Sequence, residues 1–278
     1  MEKIINKELE QLNLWLNVNR LALNISKTNF VIFHTSNKPL HHIVTLKINK
    51  KAIVQNDHIK YLGIIIDSHL NWKPHILNLS KKISRSIGVM YKLREFMNIN
   101  VLKSIYYSLI YSHIVYGIQV WGSACPTELD CILILQNKAV RMMTYSDHYS
   151  HACPLFKKLG ILKVGDVFKL HVIKFIFSCL CKNTPSIFSD WFILNYTVHN
   201  YNTQSNTTCN MRNYFEIEEV VETNTLHIRG SRLVNYGAKK MQVSGPKLWN
   251  SLPTYIRNSQ SIYSLKYSLK KYLLDQYE

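Results

Sequence analysis

Acidic residues are scarce in this sequence. Only 17 Asp and Glu stand against 34 Lys and Arg, so the 278-residue chain has a formal net charge of +17. The excess is not a basic tail, because each third of the chain is net positive. Such a charge in a chain that is 47% hydrophobic favours a polyanionic partner, above all nucleic acid. A generally basic surface without such a partner is the alternative that charge leaves open.

Paired cysteines and long apolar runs are also missing. The six cysteines have no spacing typical of a zinc site or of a disulfide framework, so we expect a reduced, intracellular protein in the nucleus or cytoplasm. His148, His151 and Cys153 are close in sequence but lack a fourth ligand, and we predict no metal site there. No signal peptide or membrane-length run is visible, so no membrane partner is expected.

The N-terminal quarter mixes one helix with strands. Apolar residues at three- to four-residue spacing predict a helix over residues 2–19. β-branched and aromatic residues predict strands in 30–33, 43–48 and 59–66, with a polar turn near 50–57. The run Ile64, Ile65 and Ile66 suits a strand buried on both faces. We therefore assign residues 1–70 to a domain of one helix and antiparallel strands.

Helical periodicity dominates the rest of the chain. After Pro74, apolar residues recur on one helix face, and two more helices are predicted over residues 101–116 and 128–144. This pattern indicates a helical bundle over residues 71–150. Residues 151–278 are predicted to be mostly helical, with a polar linker at 195–213 and a basic amphipathic helix at 265–274. The fold class is α+β.

Residues 15–33 read WLNVNRLALNISKTNFVIF, and residues 58–67 read HIKYLGIIID. Together they resemble the end of the palm in jockey-like reverse transcriptases of non-LTR retrotransposons. Residues 102–122 and 135–141 resemble the thumb of that family, and residues 245–256 resemble its C-terminal region. The resemblance implies an RNA-directed DNA polymerase, with a palm end, a helical thumb and a C-terminal region in the three predicted domains.

Polymerases of this kind transfer nucleotides with two Mg²⁺ ions held by converging carboxylates. The sequence contains no Asp-Asp pair, and Glu216, Glu218 and Glu219 suit a solvated face better than a metal site. We therefore expect no cofactor in this chain and no polymerisation by it alone. The resemblance implies that Lys27 protonates the departing pyrophosphate in an assembled enzyme. The alternative is that Lys27 only begins a strand at the surface.

Two segments are predicted to contact nucleic acid. In the resembled family Tyr61, Leu62 and Gly63 belong to the primer grip, which places the primer end; the alternative is a packed hairpin with Tyr61 in a core. The helix after Pro74 carries basic residues with few carboxylates nearby, which suits phosphate contacts along a template–primer duplex. These residues are Lys81, Lys82, Arg85, Lys92 and Arg94. An ordinary solvated helix face is the alternative.

The function we expect is that of a truncated reverse-transcriptase-derived protein that binds an RNA–DNA template–primer without sequence preference. Two alternatives remain open. One is a domesticated protein-interaction module with no nucleic-acid role. The other is a piece of an active polymerase whose upstream half lies outside this sequence. Nothing in the sequence indicates an oligomeric state.

Overall fold

The computed structural model describes residues 2–35, 44–195, 224–228 and 241–277. Residues Glu216, Glu218 and Glu219 and nearly all of the predicted linker at 195–213 lie outside these ranges. Contacts divide the chain into two compact units. The first is Met1–Lys81 with Ala124–Glu128, and the second is Lys82–Ser123 with Leu129–Glu278.

The first unit combines one helix with short strands. Its elements are α1 (Glu2–Val18), β1 (Asn29–Phe30), β2 (Lys47–Ile48), β3 (Lys51–Ala52), β4 (Val54–Gln55), β5 (His58–Tyr61) and β6 (Ile64–Asp67). A small core forms around buried Leu46, Ile48 and Ile53, with Ile5 and Leu9 of α1 packed against it. Since α1 has no fully buried residue, this core is thin.

Two hairpins in this unit turn in the same way. The strands β2 and β3 are antiparallel and joined by Asn49 and Lys50, and β5 and β6 are antiparallel and joined by Leu62 and Gly63. All four linking residues have positive φ, between 45° and 84°. Two-residue loops with both residues in this region are type I′ turns, whose twist matches that of the flanking strands. A third pair, β1 with β4, is parallel, so the expectation that all strands of this domain are antiparallel is wrong.

The strands are shorter than the sequence indicates, and three further expectations about this region are wrong. Residues 50–57 hold β3 and β4 in addition to a turn, and the predicted strand over 59–66 is the hairpin of β5 and β6. The run Ile64 to Ile66 is half-buried rather than buried on both faces, because within the described residues β6 pairs with β5 alone. The predicted helix at 2–19 is confirmed.

The second unit is built of helices. In chain order the helices are α2 (Lys73–Leu93), α3 (Ile99–Tyr106), a π-helical segment (Tyr107–Tyr111), α4 (Ser112–Val115), α5 (Ile118–Trp121), α6 (Pro126–Met143), α7 (Ala152–Leu159), α8 (Val164–Leu180), α9 (Met241–Asn250), α10 (Thr254–Arg257) and α11 (Ile262–Asp275). Both α2 and α6 begin in the first unit and continue into the second. The helices expected at 101–116, 128–144 and 265–274 are confirmed, and the α+β class is consistent with this content.

The side chain of Gln136 is the polar centre of the second unit's core. Gln136 is fully buried on α6, yet all its polar atoms are used. Its Nε2 donates to the Tyr106 hydroxyl at 2.8 Å and to the Leu162 carbonyl at 3.2 Å, and its Oε1 accepts from the Val164 N–H at 2.7 Å. One amide thus joins α3, α6 and the start of α8.

The last residue that the structure describes is also tied to α8. Tyr277 is buried, and its hydroxyl donates to Asp166 Oδ2 at 2.6 Å and accepts from the Lys163 N–H at 2.9 Å. Its burial, followed by the hydrogen bond to Asp166, raises the pKa of the Tyr277 hydroxyl, which therefore stays protonated. Within the described ranges, no helix has the length and apolar character needed to cross a bilayer.

Replacing Gln136 by Leu keeps the volume but leaves the Val164 N–H and the Leu162 carbonyl without their partner. Each unsatisfied buried group costs about 1–3 kcal/mol, so we expect unfolding free energy to fall by about 2–4 kcal/mol. Chemical denaturation measures the change. The matched control is Gln11→Leu on α1, where Gln11 is exposed. Equal stability of the Gln136→Leu and wild-type proteins would contradict this role.

Candidate nucleic-acid interface

The helix α2 has one apolar and one basic face. Its apolar residues lie at three- and four-residue intervals, which places them along one side of the helix. All are buried, with at most 4% of their surface exposed: Ile76, Leu79, Ile83, Ile87 and Met90. The opposite side must therefore face solvent.

A turn before α2 sets where the helix begins. The Asp67 side chain is buried, and its two oxygens accept from the Asn71 and Trp72 N–H groups at 3.0 and 2.9 Å. Leu70 and Trp72 both have positive φ in this turn. Pro74 then occupies the first turn of α2, where the missing N–H of proline costs nothing. The sequence HIKYLGIIID thus ends in the residue whose side chain holds the turn before α2.

Four of the five predicted phosphate-contacting residues extend into solvent. Lys81, Lys82, Arg85 and Lys92 are exposed, and Lys81, Arg85 and Lys92 share one side of α2 by helical spacing. Gly88 falls on that same side, and an added Cβ there would meet no atom within 4 Å. The surface around it is open enough for another backbone to approach α2 closely.

No carboxylate neutralises these four residues in the part of the chain that the structure describes. The ion pairs there are Lys73 with Glu128 and Lys169 with Asp166. An exposed cation without an acidic neighbour keeps its full attraction for an external anion. The basic face of α2, meaning Lys81, Lys82, Arg85 and Lys92, is therefore suited to a row of phosphates.

The structure places Arg94 differently from the other four. Its guanidinium lies over the rings of Tyr91 and Tyr145, 5.2 and 5.3 Å from their centroids. The Tyr145 hydroxyl also donates a hydrogen bond to the Arg94 carbonyl. Arg94 is half-buried, so these rings fix the planar guanidinium at the end of α2. Arg94 therefore has less freedom than the other four residues to reach a ligand.

Tyr61, Leu62 and Gly63 form the tip of the β5–β6 hairpin. Leu62 and Gly63 are the turn residues, with φ of 45° and 84°. Tyr61 is 62% exposed and Leu62 is 72% exposed. The alternative in which Tyr61 fills a core is wrong, because most of its side chain is exposed among the described residues. The glycine serves the turn and not a bulge within a strand.

Lys27 ends a short 3-10 helix, Ile25–Lys27. The Asn24 side chain caps this turn by accepting from the Lys27 N–H at 3.2 Å. The Lys27 side chain is exposed, and no described carboxylate forms an ion pair with it. This geometry leaves its proposed catalytic role a prediction for an assembled enzyme.

A π-helical segment interrupts the long helix that contains α3 and α4. It brings tyrosine rings together edge to face, with centroids of Tyr106 and Tyr107 5.6 Å apart and those of Tyr107 and Tyr111 5.1 Å apart. Burial raises the pKa of all three hydroxyls. Tyr106 is fully buried, so it packs the core and cannot stack on a base, whereas Tyr116 is 55% exposed.

One polar groove could not be predicted from the sequence. It has a volume of about 500 Å³ and is lined by His34, Asp57, His58, Asp67, Ser68, His69, Asn71, Lys73 and Pro74. The His34 and His69 rings meet edge to face with centroids 4.5 Å apart. No local motif could have indicated this contact, because the two residues lie 35 positions apart in the chain. Across the described ranges, no three His, Cys, Asp or Glu residues are placed to hold a metal ion.

The chain is similar in sequence to polymerases of mobile elements from Drosophila. It is 24% identical over 160 residues to the probable RNA-directed DNA polymerase from transposon X-element of Drosophila melanogaster, a match over 56% of this chain and 17% of that protein. It is 29% identical over 124 residues to the RNA-directed DNA polymerase from mobile element jockey of the same species, over 44% of this chain and 14% of that protein. The jockey enzyme of Drosophila funebris is 30% identical over 122 residues, over 43% and 13% respectively.

The matches thus span less than a fifth of the length of these relatives. No protein-family model matches the chain, and no solved structure matches it. The agreement with several mobile-element polymerases nevertheless extends over about half of the sequence. Over that part, the chain is similar to a region of the jockey-like RNA-directed DNA polymerases of mobile elements.

Proposed function

We propose that this chain holds the template–primer duplex of an RNA-directed DNA polymerase, through contacts between the basic face of α2 and the phosphate backbone. In this proposal residues 1–70 correspond to the end of the palm and residues 71–150 to the thumb. The observation that carries it is the exposed, unneutralised basic face of α2, opposite a fully buried apolar stripe. The polymerase names of the relatives support the same assignment.

The contacts suit a protein that must hold any sequence. Lys and Arg side chains that reach phosphates position a duplex without reading its bases. Binding of this kind is sensitive to salt, because each neutralised phosphate releases condensed counterions. A polymerase that moves along its template needs such contacts, since they can be broken and reformed at every step.

The hairpin tip is the second element of the proposal. Tyr61 offers an exposed ring and hydroxyl, which can contact a sugar or phosphate at the primer end. The type I′ turn at Leu62 and Gly63 fixes the direction of the tip, because both residues are held at positive φ. A rigid tip suits the placement of a strand end.

Catalysis is not assigned to this chain by itself. The Mg²⁺ ions that polymerases of this family require need converging carboxylates. In the described ranges no three His, Cys, Asp or Glu residues converge, and the sequence has no Asp-Asp pair. The described residues therefore do not fit the ions, and the proposed role is limited to holding nucleic acid.

Substituting Lys81, Arg85 and Lys92 together by Ala is expected to weaken binding to an RNA–DNA hybrid duplex mainly at low salt. Four phosphate contacts give log affinity against log salt a slope of roughly −3 to −4, and the triple variant should flatten it by roughly two to three units. Fluorescence anisotropy with a labelled hybrid, titrated at several salt concentrations, measures both slopes.

The matched control changes Lys138, Lys157 and Lys158 to Ala, which removes the same charge from exposed positions on α6 and α7. An equal loss of slope in both triple variants would contradict the α2 interface and indicate only a diffuse basic surface. A wild-type chain with no affinity for the hybrid would favour the protein-interaction module instead.

The change Tyr61→Ala should weaken binding of a hybrid with a recessed primer end but leave a blunt hybrid unaffected. The side chain is 62% exposed, so its loss creates no cavity and the melting temperature should not change. Competition between the two hybrids in the same anisotropy assay measures the preference, and Tyr255→Ala, also exposed at 62%, is the control. Identical preferences in wild type and Tyr61→Ala would remove the hairpin from the proposal.

The purified chain is expected to show no RNA-templated DNA synthesis with Mg²⁺ or Mn²⁺, because it lacks the paired carboxylates. Incorporation of labelled nucleotides on a primed RNA template measures this, with a heat-inactivated sample as the control. Synthesis above that control that co-purifies with the chain through successive columns would refute the expectation.

A further inference from the structure

Basic side chains from three helices of the second unit converge at one place. Burial, followed by repulsion from Lys103 and Lys266, lowers the pKa of the Lys270 ammonium. Burial and then Lys266 lower the pKa of Lys174, and burial followed by Lys174 and Lys266 lowers the pKa of His171. The packing of α11 against α8 brings lysines of both helices together. The lysine cluster is defined as Lys103 on α3, Lys174 on α8, and Lys266 and Lys270 on α11.

Nothing acidic offsets this cluster within the described residues. Neither ion pair found there includes any of its four lysines. Lys103, Lys174 and Lys270 are half-buried, so part of their hydration is lost as well. Such an arrangement costs folding free energy unless an anion binds, since each charge disfavours its neighbours. Binding of a polyanion would relieve the repulsion among these lysines, so the lysine cluster is suited to bind one.

The packing of α11 explains why its polar side is presented outward. Leu265, Leu269 and Leu273 are buried and lie on the side of α11 that packs against α8. Their four-residue spacing fixes the rotation of the helix. The leucines are therefore occupied in the core, and the remaining surface of α11 carries polar and aromatic side chains.

Exposed aromatic rings lie among the lysines of α11. Tyr263 and Tyr267 are 82% and 75% exposed. They are four residues apart, and Lys266 and Lys270 follow Tyr263 at three and seven residues, so all four share one helix face. Large exposed rings next to cations form a surface on which unpaired bases stack while lysines contact the phosphates.

The combination of lysines with exposed tyrosine rings indicates which kind of ligand binds to this face of α11. A duplex hides the faces of its bases, so exposed rings add nothing to duplex binding, whereas a single strand presents both bases and phosphates. A membrane-surface helix inserts leucine, phenylalanine or tryptophan into the lipid, but Leu265, Leu269 and Leu273 of α11 are buried in the core. An acidic protein segment would use the lysines but would leave the rings without a role.

We propose that the face of α11 formed by Tyr263, Lys266, Tyr267 and Lys270, extended by Lys103 and Lys174, binds single-stranded nucleic acid. The site is on a different helix from the basic face of α2 and takes a different form of nucleic acid, so it goes beyond the duplex-holding function. It provides a surface for a strand that is not yet, or no longer, paired.

The test uses the full chain and a labelled 20-nucleotide single-stranded oligonucleotide in fluorescence anisotropy. The Tyr263→Ala/Tyr267→Ala variant should bind at least about fivefold more weakly, because each stacked base contributes about 1–3 kcal/mol. The Lys266→Gln/Lys270→Gln variant should flatten the salt slope by about one unit or more, since a single strand gives about −0.7 for each contact. Both variants should fold, because the rings are exposed and the charges repel one another; melting temperatures no lower than wild type check this.

Matched controls remove the same groups elsewhere in the second unit. Tyr149→Ala/Tyr255→Ala deletes two exposed rings, and Lys138→Gln/Lys157→Gln deletes two exposed charges. Unchanged affinity in these controls, with weakened affinity in the α11 variants, supports the proposal. Equal weakening in controls and α11 variants overturns it in favour of non-specific charge.

Two further measurements separate the alternatives. The α11 variants are also tested on the blunt hybrid duplex and on vesicles of anionic phospholipid. Loss of duplex binding as large as the loss of single-strand binding overturns the proposal. So does loss of vesicle binding with single-strand binding intact. The α2 variant Lys81→Ala/Arg85→Ala/Lys92→Ala, tested on the same single strand, should bind it nearly as wild type, so failure of either site is seen independently.

Discussion

The apolar stripe of α2 is the constraint on which the proposed interface depends. Ile76, Ile83 and Met90 have no exposed surface, so the rotation of this 21-residue helix about its axis is fixed by burial. Each fully buried side chain of this size contributes about 1.5–3 kcal/mol, whereas exposed charges contribute almost nothing to folding. The position of the lysines and of Arg85 is therefore a consequence of packing on the opposite side.

The excess of positive charge explains which surfaces of the chain can bind an external anion. With twice as many cations as carboxylates, at least half of the lysines and arginines have no carboxylate of their own to pair with in the chain. On α2 the charges are exposed and form a stripe. On α3, α8 and α11, Lys103, Lys174 and Lys270 are half-buried, and burial followed by repulsion from neighbouring lysines lowers the pKa of Lys174 and Lys270. Both arrangements are relieved by an external anion, but only the second has exposed rings beside the charges. The two surfaces are thus suited to different forms of the same polymer.

The sequence predicts the parts of this structure that are local and repetitive. The helices α1, α2, α6 and α11 follow from three- to four-residue apolar spacing, because that spacing is the condition for burying one helix face. The strands are harder to predict from the sequence. Strands of only two residues are too short to show the alternation of apolar and polar residues that indicates a strand. The run Ile64 to Ile66 indicates a buried strand, yet only the tertiary structure decides how many neighbours β6 has.

The same distinction holds for the two candidate sites: a site on one helix can be predicted from the sequence, and a site built from several helices cannot. The exposure of Lys81, Arg85 and Lys92 is predictable, since all three belong to one helix. The lysine cluster is not, because Lys103, Lys174 and Lys266 are brought together by the packing of three helices. The sequence does contain one indication of this site, namely the helical spacing that places four residues on one face of α11: Tyr263, Lys266, Tyr267 and Lys270. The polymerase relatives support the family, and the assignment of palm and thumb remains a proposal.

The most direct test of the α2 interface is a lysine footprint of the unmodified chain. A water-soluble acylating reagent is applied with and without a saturating RNA–DNA hybrid, and modification at each lysine is quantified by mass spectrometry. We expect the hybrid to protect Lys81, Lys82 and Lys92 severalfold more than the equally exposed Lys138 and Lys157. Uniform protection of all exposed lysines, or protection that omits α2, would contradict the interface.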